Sequence, residues 1–370
     1  MSISEVTAQV VTAPLHTEFV TALRRTSAVE TVLVTITDSE GVSGHGEAPQ
    51  TWRITGQSLA GAHACVTGPL RDVLLGRDPM DLHHALDAVD AAVIGNSAAK
   101  AAVDVALHDL WARRLDRPLA AALGGTATRV PTVVTLAAGE AADMARAAAA
   151  RVAEGFTALK VKVGLDPAGD LARLSAVREA VGDAVSVRVD ANQGWTAKEA
   201  VRIISGMERA GLGIELVEQP VVAHDLAGMA HVTASVDTVI LADESVHGVR
   251  DLSAVIEARA ADAVNVKLAK CGGIRAAGTQ LELARAHGLS TTVGSMMEGP
   301  VGVAAIASLA AAHGVDVTAD LDAAWWLSQT PPGLRYADGS LHLDTGPGLG
   351  RVTFSPQTDS VRRAEGATGS

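Results

Sequence analysis

Leu159-Lys160-Val161-Lys162-Val163-Gly164 is an apolar strand that carries two lysines two residues apart. Side chains at i and i+2 of a strand share a face, so both ammonium groups point the same way. Taken alone, the stretch describes a solvated strand face as well as a catalytic one. The segments that follow decide between the two. Short apolar runs from Val185 to Asp190, Ile214 to Glu218, Val239 to Asp243, Ala263 to Lys267, Ser290 to Ser295 and Val315 to Asp320 each close on an ionisable or small polar residue. Counted from Lys162, those closing residues advance by 28, 28, 25, 24, 28 and 25 positions. Amphipathic stretches fill the gaps. Thr196 as N-cap precedes Val201, Ile204 and Met207 at three-residue steps, and Ile274, Ala277, Leu281 and Ala284 form one stripe before a stop at Gly288. A buried strand, a polar end and a helix, repeated at one cadence, is the pattern of a closed parallel barrel. In such barrels chemistry sits at the mouth where the strand C-termini converge.

The rest of the chain is organised around that barrel. Up to Gly125 the cadence is absent: Val6 to Val11, Val29 to Thr37 and Val42 to Ala48 read as strands, with a polar loop from His16 to Ala28 between the first two. Helical segments follow at Gln57 to Leu75, Asp81 to Val93 and Ser97 to Leu115, so residues 1–125 are expected to form a separate α+β domain. The barrel, residues 126–322, is expected to begin at Pro131 to Thr135 and to hold eight strands by Asp320. No helix closes its last unit, because Trp325-Trp326-Leu327 leads into Pro331-Pro332-Gly333, so the barrel reads as (β/α)7β. Residues 323–356 would return to pack on the first domain, and residues 357–370 read as a polar, flexible tail.

Composition excludes several function classes. The chain has 370 residues, 48% of them hydrophobic, a net charge of -12 and no basic block or aromatic platform, which argues against nucleic acid as a partner. No apolar run reaches membrane-spanning length and no charged-then-apolar leader opens the sequence, so the reading is of a cytoplasmic protein without membrane contact. Cys65 and Cys271 are too few for a disulfide framework or a zinc cluster.

Asp190, Glu218 and Asp243 would stand at the ends of three consecutive barrel strands. Each alone could merely cap the next helix; three in register repel one another strongly enough to call for a cation. All-oxygen ligands favour a hard ion, Mg²⁺ first, with Mn²⁺ as a substitute. Lys162 on the second strand and Lys267 on the sixth would face each other across that site. Two opposed amines suit removal of a proton from one face of a carbon and its return to the other, with an ammonium at Lys160 as electrostatic support.

The runs Leu159 to Gly164, Val189-Asp190-Ala191-Asn192-Gln193-Gly194-Trp195, Glu218-Gln219-Pro220, Ala242-Asp243-Glu244-Ser245, Asn265-Val266-Lys267-Leu268 with Lys270-Cys271-Gly272-Gly273, and Gly294-Ser295-Met296-Met297-Glu298 resemble the muconate-lactonising branch of the enolase superfamily. Gly44-His45-Gly46-Glu47-Ala48 is similar to part of that family's capping domain. The resemblance implies an α/β fold, a modified TIM barrel (β/α)7β with an N-terminal α+β capping domain, and one Mg²⁺ per subunit. It also implies an enolate intermediate and allows for a homo-oligomer. A lysine base beside Mg²⁺ is the general arrangement of that superfamily.

Asp320-Leu321-Asp322 resembles the Asp-x-Asp feature with which dipeptide epimerases hold a substrate ammonium. Phe19 to Arg24 is similar to a loop of Ala-Glu epimerases whose arginine meets an acidic side chain; Arg25 follows directly and competes for that role. Thr135, Met297 and Glu298 are expected to line the substrate pocket. The expected activity is Mg²⁺-dependent epimerisation of the C-terminal residue of an L,L-dipeptide, a small-molecule substrate, with L-Ala-L-Glu leading. The alternatives are an N-acylamino acid racemase or a cycloisomerase of the same branch, and a barrel without catalysis. Spacing leaves open which lysine serves which epimer.

Overall fold

A computed structural model describes residues 1–354; the expected tail at 357–370 lies outside the described residues. The chain opens with an antiparallel sheet of β1 (Ile3–Val20), β2 (Arg25–Asp38) and β3 (Ser43–Pro49), in that order. The first hairpin is longer than the sequence suggests. Most of the stretch read as a loop, His16 to Ala28, is strand, with Thr21 to Arg24 as the turn. The ladder breaks between Pro14 and Phe19, where proline has no N–H to give, and resumes as Phe19 pairs with Thr26 and Val20 with Arg25. Leu15 and Phe19 are buried within an otherwise exposed polar run and anchor the extension. Thr21 Oγ1 accepts the N–H groups of Leu23 (3.1 Å) and Arg24 (3.2 Å) and closes the tip.

The helix Ser97–Arg114 lies directly on β3. A Cβ at Gly46 would fall 1.8 Å from the Ala102 carbonyl oxygen, and one at Gly44 2.2 Å from that of Ala106. The two glycines are therefore required by the close approach of helix and strand backbones.

Seven parallel strands form the barrel wall in sequence order: β5 (Val134–Leu136), β6 (Ala158–Lys162), β7 (Ser186–Asp190), β8 (Ile214–Glu218), β9 (Val239–Ala242), β10 (Ala263–Val266) and β11 (Ser290–Val293). The eighth wall element is shorter than the run Val315 to Asp320 predicts. The N–H groups of Asp316 and Val317 both reach the Thr291 carbonyl, which is a turn and not a ladder. Only Ala319 and Asp320 bridge, Ala319 to Thr132 and Asp320 to Gly294, and these two residues close the cylinder. The preceding segment differs as well. Arg129–Pro131 is β4, which joins β12 (Leu334–Ala337) and β13 (Ser340–Leu343) in a separate antiparallel sheet, and the chain enters the barrel only after Thr132.

Thr196 caps the helix Ala197–Arg209 in a reciprocal box with Glu199, and Ile204 and Met207 turn inward as the spacing predicts. The C-terminal return ties the layers together: Leu327 bridges Leu15 of β1, and Gly348 bridges Pro118. Among the described residues no helix is long and apolar enough to cross a membrane.

Candidate active site

Parallel register sets the site. Lys162 pairs with Asp190, and Asp190 with Glu218, so the last residues of β6, β7 and β8 stand side by side. Asp243 and Lys267 follow immediately on β9 and β10. All five are buried, as is Lys160. Lys162, Asp243 and Lys267 open on a cavity of about 380 Å³ between the barrel mouth and the first domain, which Thr135, Met297, Asp320 and Asp322 also line from the barrel side; Lys160, Asp190 and Glu218 are not among its lining residues.

The charges interlock. Lys162 Nζ lies 2.5 Å from Asp190 Oδ2, and Lys160 Nζ lies 2.9 Å from the same atom, 2.6 Å from Glu218 Oε2 and 2.7 Å from Asp320 Oδ2. Lys267 Nζ donates to Asp243 Oδ2 at 2.8 Å. Burial alone would raise Asp190, but the two ammonium groups outweigh it and hold the carboxyl at about 2. Glu218, pushed up by burial and then by Asp190, reaches about 7. Burial disfavours the ammonium at Lys160, yet Asp190, Asp320 and Glu218 override it and raise that group well above its usual value. Lys160 therefore does not present a bare charge to Lys162, as the sequence suggests. Its ammonium is spent on three carboxylates.

The donor set suits a hard cation, with a rearrangement. Among the described residues no three carboxyl groups converge closely enough to hold an ion, because lysine ammonium groups sit against each of them. Around them three buried side-chain oxygens have no hydrogen-bond partner among the described residues: Asn192 Oδ1, Glu244 Oε2 and Asn265 Oδ1. Asn192 bonds to Glu244 (3.2 Å) and Asn265 to Glu218 (3.0 Å) through their amide nitrogens, so the unsatisfied oxygens belong to the same network. A hydrated cation would answer those acceptors through its waters, and all-carboxylate chemistry fits Mg²⁺.

Several members of this network escape sequence reading. Lys270 sits on the short helix Leu268–Cys271 and donates to Asp243 Oδ1 (2.5 Å) and to the carbonyls of Asp243 (2.5 Å) and Asn265 (3.0 Å). Its three-residue offset from Lys267 was the available signal. Gln219 adopts a left-handed φ of +38° and its side-chain oxygen accepts the N–H groups of Asp243 and Ser245, tying the β8 end to the β9 end. Glu244, forced up to about 8 by burial and the neighbouring Asp243, was hidden as a mere neighbour of Asp243.

Thr135 N–H donates to Asp322 Oδ2 at 2.7 Å. Burial and Asp320 raise Asp322 to about 6, whereas Asp320, against burial, is drawn down by Lys160 and Lys267. Both carboxylates face the cavity. Arg24 and Arg25 both reach the rim, but differently. Arg25 is exposed and paired with Glu18 at 2.5 Å, while Arg24 is half-buried and has no carboxylate partner among the described residues. Burial lowers its pKa from the ordinary arginine value. Glu298 is a correction: it does not line the cavity. Its Oε1 accepts the N–H of Met296 two residues back, which turns the carboxyl away, toward Glu47 and the helix Pro300–His313. Burial and Glu47 push it up to about 8.

The sequence profile of the mandelate racemase/muconate lactonizing enzyme N-terminal domain matches residues 3–124, and that of the enolase C-terminal domain-like family matches residues 143–356. The chain is 41% identical over 355 residues to the L-Ala-D/L-Glu epimerase of Bacillus subtilis (strain 168), covering 95% of this chain and 97% of that protein. A substrate-liganded structure of L-Ala-D/L-Glu epimerase from Bacillus subtilis superposes with a TM-score of 0.92 over 95% of this chain and 98% of its own. A dipeptide epimerase from Enterococcus faecalis V583, solved with Mg and the dipeptide L-Leu-L-Tyr, is 36% identical with a TM-score of 0.90, covering 95% of this chain and 100% of that one. The N-succinyl-L-Arg/Lys racemase of Bacillus cereus stands further off, 31% identical over 95% of each chain.

Proposed function

Because the chain belongs to the mandelate racemase/muconate lactonizing enzyme family of the enolase superfamily, we propose that it is an isomerase inverting the C-terminal residue of L,L-dipeptides, with L-Ala-L-Glu the leading substrate. The observation that carries this reading is that Asp320, Asp322 and Arg24, which has no carboxylate partner among the described residues, surround one cavity that Lys162 and Lys267 also line. Two carboxylates suit the free ammonium of a dipeptide and would repel a succinylated or otherwise anionic N-terminus. Arg24 suits the second residue's side-chain carboxylate.

Asp190, Glu218 and Asp243 would hold one Mg²⁺ per subunit, with Mn²⁺ as a substitute. The ion, when bound, supplies positive charge against the negative charge that grows on the substrate carboxylate as the adjacent C–H ionises. The protein's own groups do the remaining work. Asp320 and Asp322 fix the amino end, Arg24 fixes the acidic side chain, and the scissile Cα–H is thereby set between two amines on opposite barrel walls. Lys162 or Lys267 takes the proton and the other returns one to the far face. Met297 and Thr135 close the cavity around the peptide. A cytoplasmic setting, in keeping with two unpaired cysteines, and a homo-oligomeric assembly belong to the same proposal.

Proton NMR of L-Ala-L-Glu with enzyme and Mg²⁺ in D₂O tests it. The glutamate α-proton is expected to exchange as the L,D diastereomer grows in. Exchange of N-succinylated or N-acylated amino acids without exchange of any dipeptide would replace this reading with the racemase one.

The acidic-side-chain assignment has its own check. Arg24→Ala is expected to lower kcat/KM for L-Ala-L-Glu by roughly 10- to 100-fold, mainly through KM, the scale of a lost charge-assisted contact. L-Ala-L-Leu should change little, and Arg25→Ala should stay within about twofold of the parent on both. Equal losses for the two arginines would remove the reason to prefer glutamate.

A further inference from the structure

Trp326 carries none of the reacting atoms, yet four features converge on it. Its indole Nε1 donates to Asp322 Oδ2 at 3.0 Å, the same oxygen that accepts the Thr135 N–H. Its ring stacks on His16, with centroids 5.3 Å apart and planes 10° from parallel, and meets Phe19 edge-on at 5.0 Å. Phe19 itself lines the cavity, and its hairpin carries Arg24 at the tip. Just beyond Trp326, Leu327 bridges Leu15, and Ser328 N–H donates to the Pro14 carbonyl at 2.9 Å, strapping this segment to β1.

The backbone between the two aspartates is equally fixed. Leu321 N–H donates to Thr132 Oγ1 (2.9 Å) and Tyr336 Oη donates to the Leu321 carbonyl (2.6 Å). Asp320 and Asp322 are thus held on one face, and the remaining freedom of Asp322 is rotation of its carboxylate. Two donors on one oxygen remove that freedom. The indole belongs to a residue whose ring also packs on His16 and Phe19 of the Arg24 hairpin.

We propose that Trp326 is a positioning residue for ammonium recognition: it orients Asp322, and through His16 and Phe19 it sets the hairpin bearing Arg24 at a fixed distance from that carboxylate. Substrate length between the amino group and the acidic side chain is then gauged by one tryptophan packed between the ends. The bonds Trp326 makes also favour the ionised carboxylate, against the upward pull of burial. This inference rests on the dipeptide reading above and adds a residue to it.

The test compares L-Ala-L-Glu with propionyl-L-Glu, which keeps the dipeptide's shape but has hydrogen in place of the amino group, by α-proton exchange in D₂O. Trp326→Phe keeps an aromatic ring and loses the donor. It is expected to raise KM for L-Ala-L-Glu by tenfold or more with kcat within threefold, and to leave propionyl-L-Glu within twofold. In an Asp322→Asn background the same change should add no further loss, and Trp326→His, which retains a ring N–H, should recover part of the selectivity. Equal losses on both substrates, or an unaltered preference in Trp326→Phe, overturn the inference while the dipeptide reading stands. A parent enzyme that does not distinguish the two substrates removes the ammonium reading and the inference with it. If Trp326→Phe does not fold, the ¹⁵N-labelled indole of Trp326 in the parent decides: L-Ala-L-Glu must shift its resonance and propionyl-L-Glu must not, and a shift with neither overturns the proposal.

Discussion

Lys162→Ala and Lys267→Ala are each expected to slow epimerisation of L-Ala-L-Glu roughly 1,000-fold or more, the scale of losing a positioned general acid or base, and to differ in what they keep. Lys162 stands on β6 and Lys267 follows β10, with β7, β8 and β9 between them, so they approach a substrate from opposite walls. Removing one amine leaves the other able to take a proton from the epimer that presents hydrogen to its side. Each variant should therefore still wash deuterium from D₂O into one diastereomer, and the two variants should do so into opposite ones. The protonation state matters to this argument. Burial disfavours an ammonium at Lys267, but the Asp243 carboxylate 2.8 Å away more than compensates and raises that amine. A base must be neutral, so Asp243 has to lose its hold on the proton when the site is loaded. Stereospecific exchange by proton NMR checks all of this. If both variants exchange the same epimer, or either exchanges both, two opposed bases are not at work.

That the lysines face one site was legible in the sequence because a barrel converts a repeat interval into a common mouth. Lys162, Asp190, Glu218, Asp243 and Lys267 could be grouped by counting alone, since each closes an apolar run. The C-terminal wall was less legible: Val315 to Asp320 has the hydrophobicity of a strand, but the Thr291 carbonyl takes two of its N–H groups, and only Ala319 and Asp320 pair. Interval counting also says nothing of residues that act across the chain. Lys270 reaches Asp243 from a one-turn helix, and Trp326 reaches Asp322 from the return segment. The one signal for Lys270 is its three-residue offset from Lys267, and a tryptophan in an apolar run carries no spacing signal. Glu298 shows the opposite failure. Its position after a barrel strand pointed into the cavity, and a two-residue local hydrogen bond turned it away. Arg24 over Arg25 was likewise undecidable by order, and the preference for Arg24 rests on Glu18 engaging Arg25.

Glu218→Gln is expected to abolish the response to Mg²⁺, in activity and in stability, while leaving the fold intact, and the choice of this ligand over Asp243 is physical. Asp243 faces two buried ammonium groups, Lys267 at 2.8 Å and Lys270 at 2.5 Å. Neutralising it would strand both, a change that in buried ion pairs costs about 3–5 kcal/mol, and lost activity could then be lost structure. Glu218 is different. Its carboxyl already lies near about 7, so a neutral side chain there is close to a state the protein visits. Its ionic partner, Lys160, keeps Asp190 and Asp320 when Glu218 is gone, and a glutamine retains an oxygen for the Asn265 amide. The metal-free variant should thus melt within a few degrees of the parent. Adding Mg²⁺ separates them. A ligand that binds only the folded state adds about 2.7 kcal/mol at a hundred times its dissociation constant, so the chelator-treated parent should gain several degrees in Tm, saturating with concentration, and recover activity in step. Glu218→Gln should gain neither over the same range. Should its Tm and its turnover rise with Mg²⁺ along the parent's curve, the strand-end carboxylates are not the metal's seat. The ammonium groups now lying against them would then be their permanent partners.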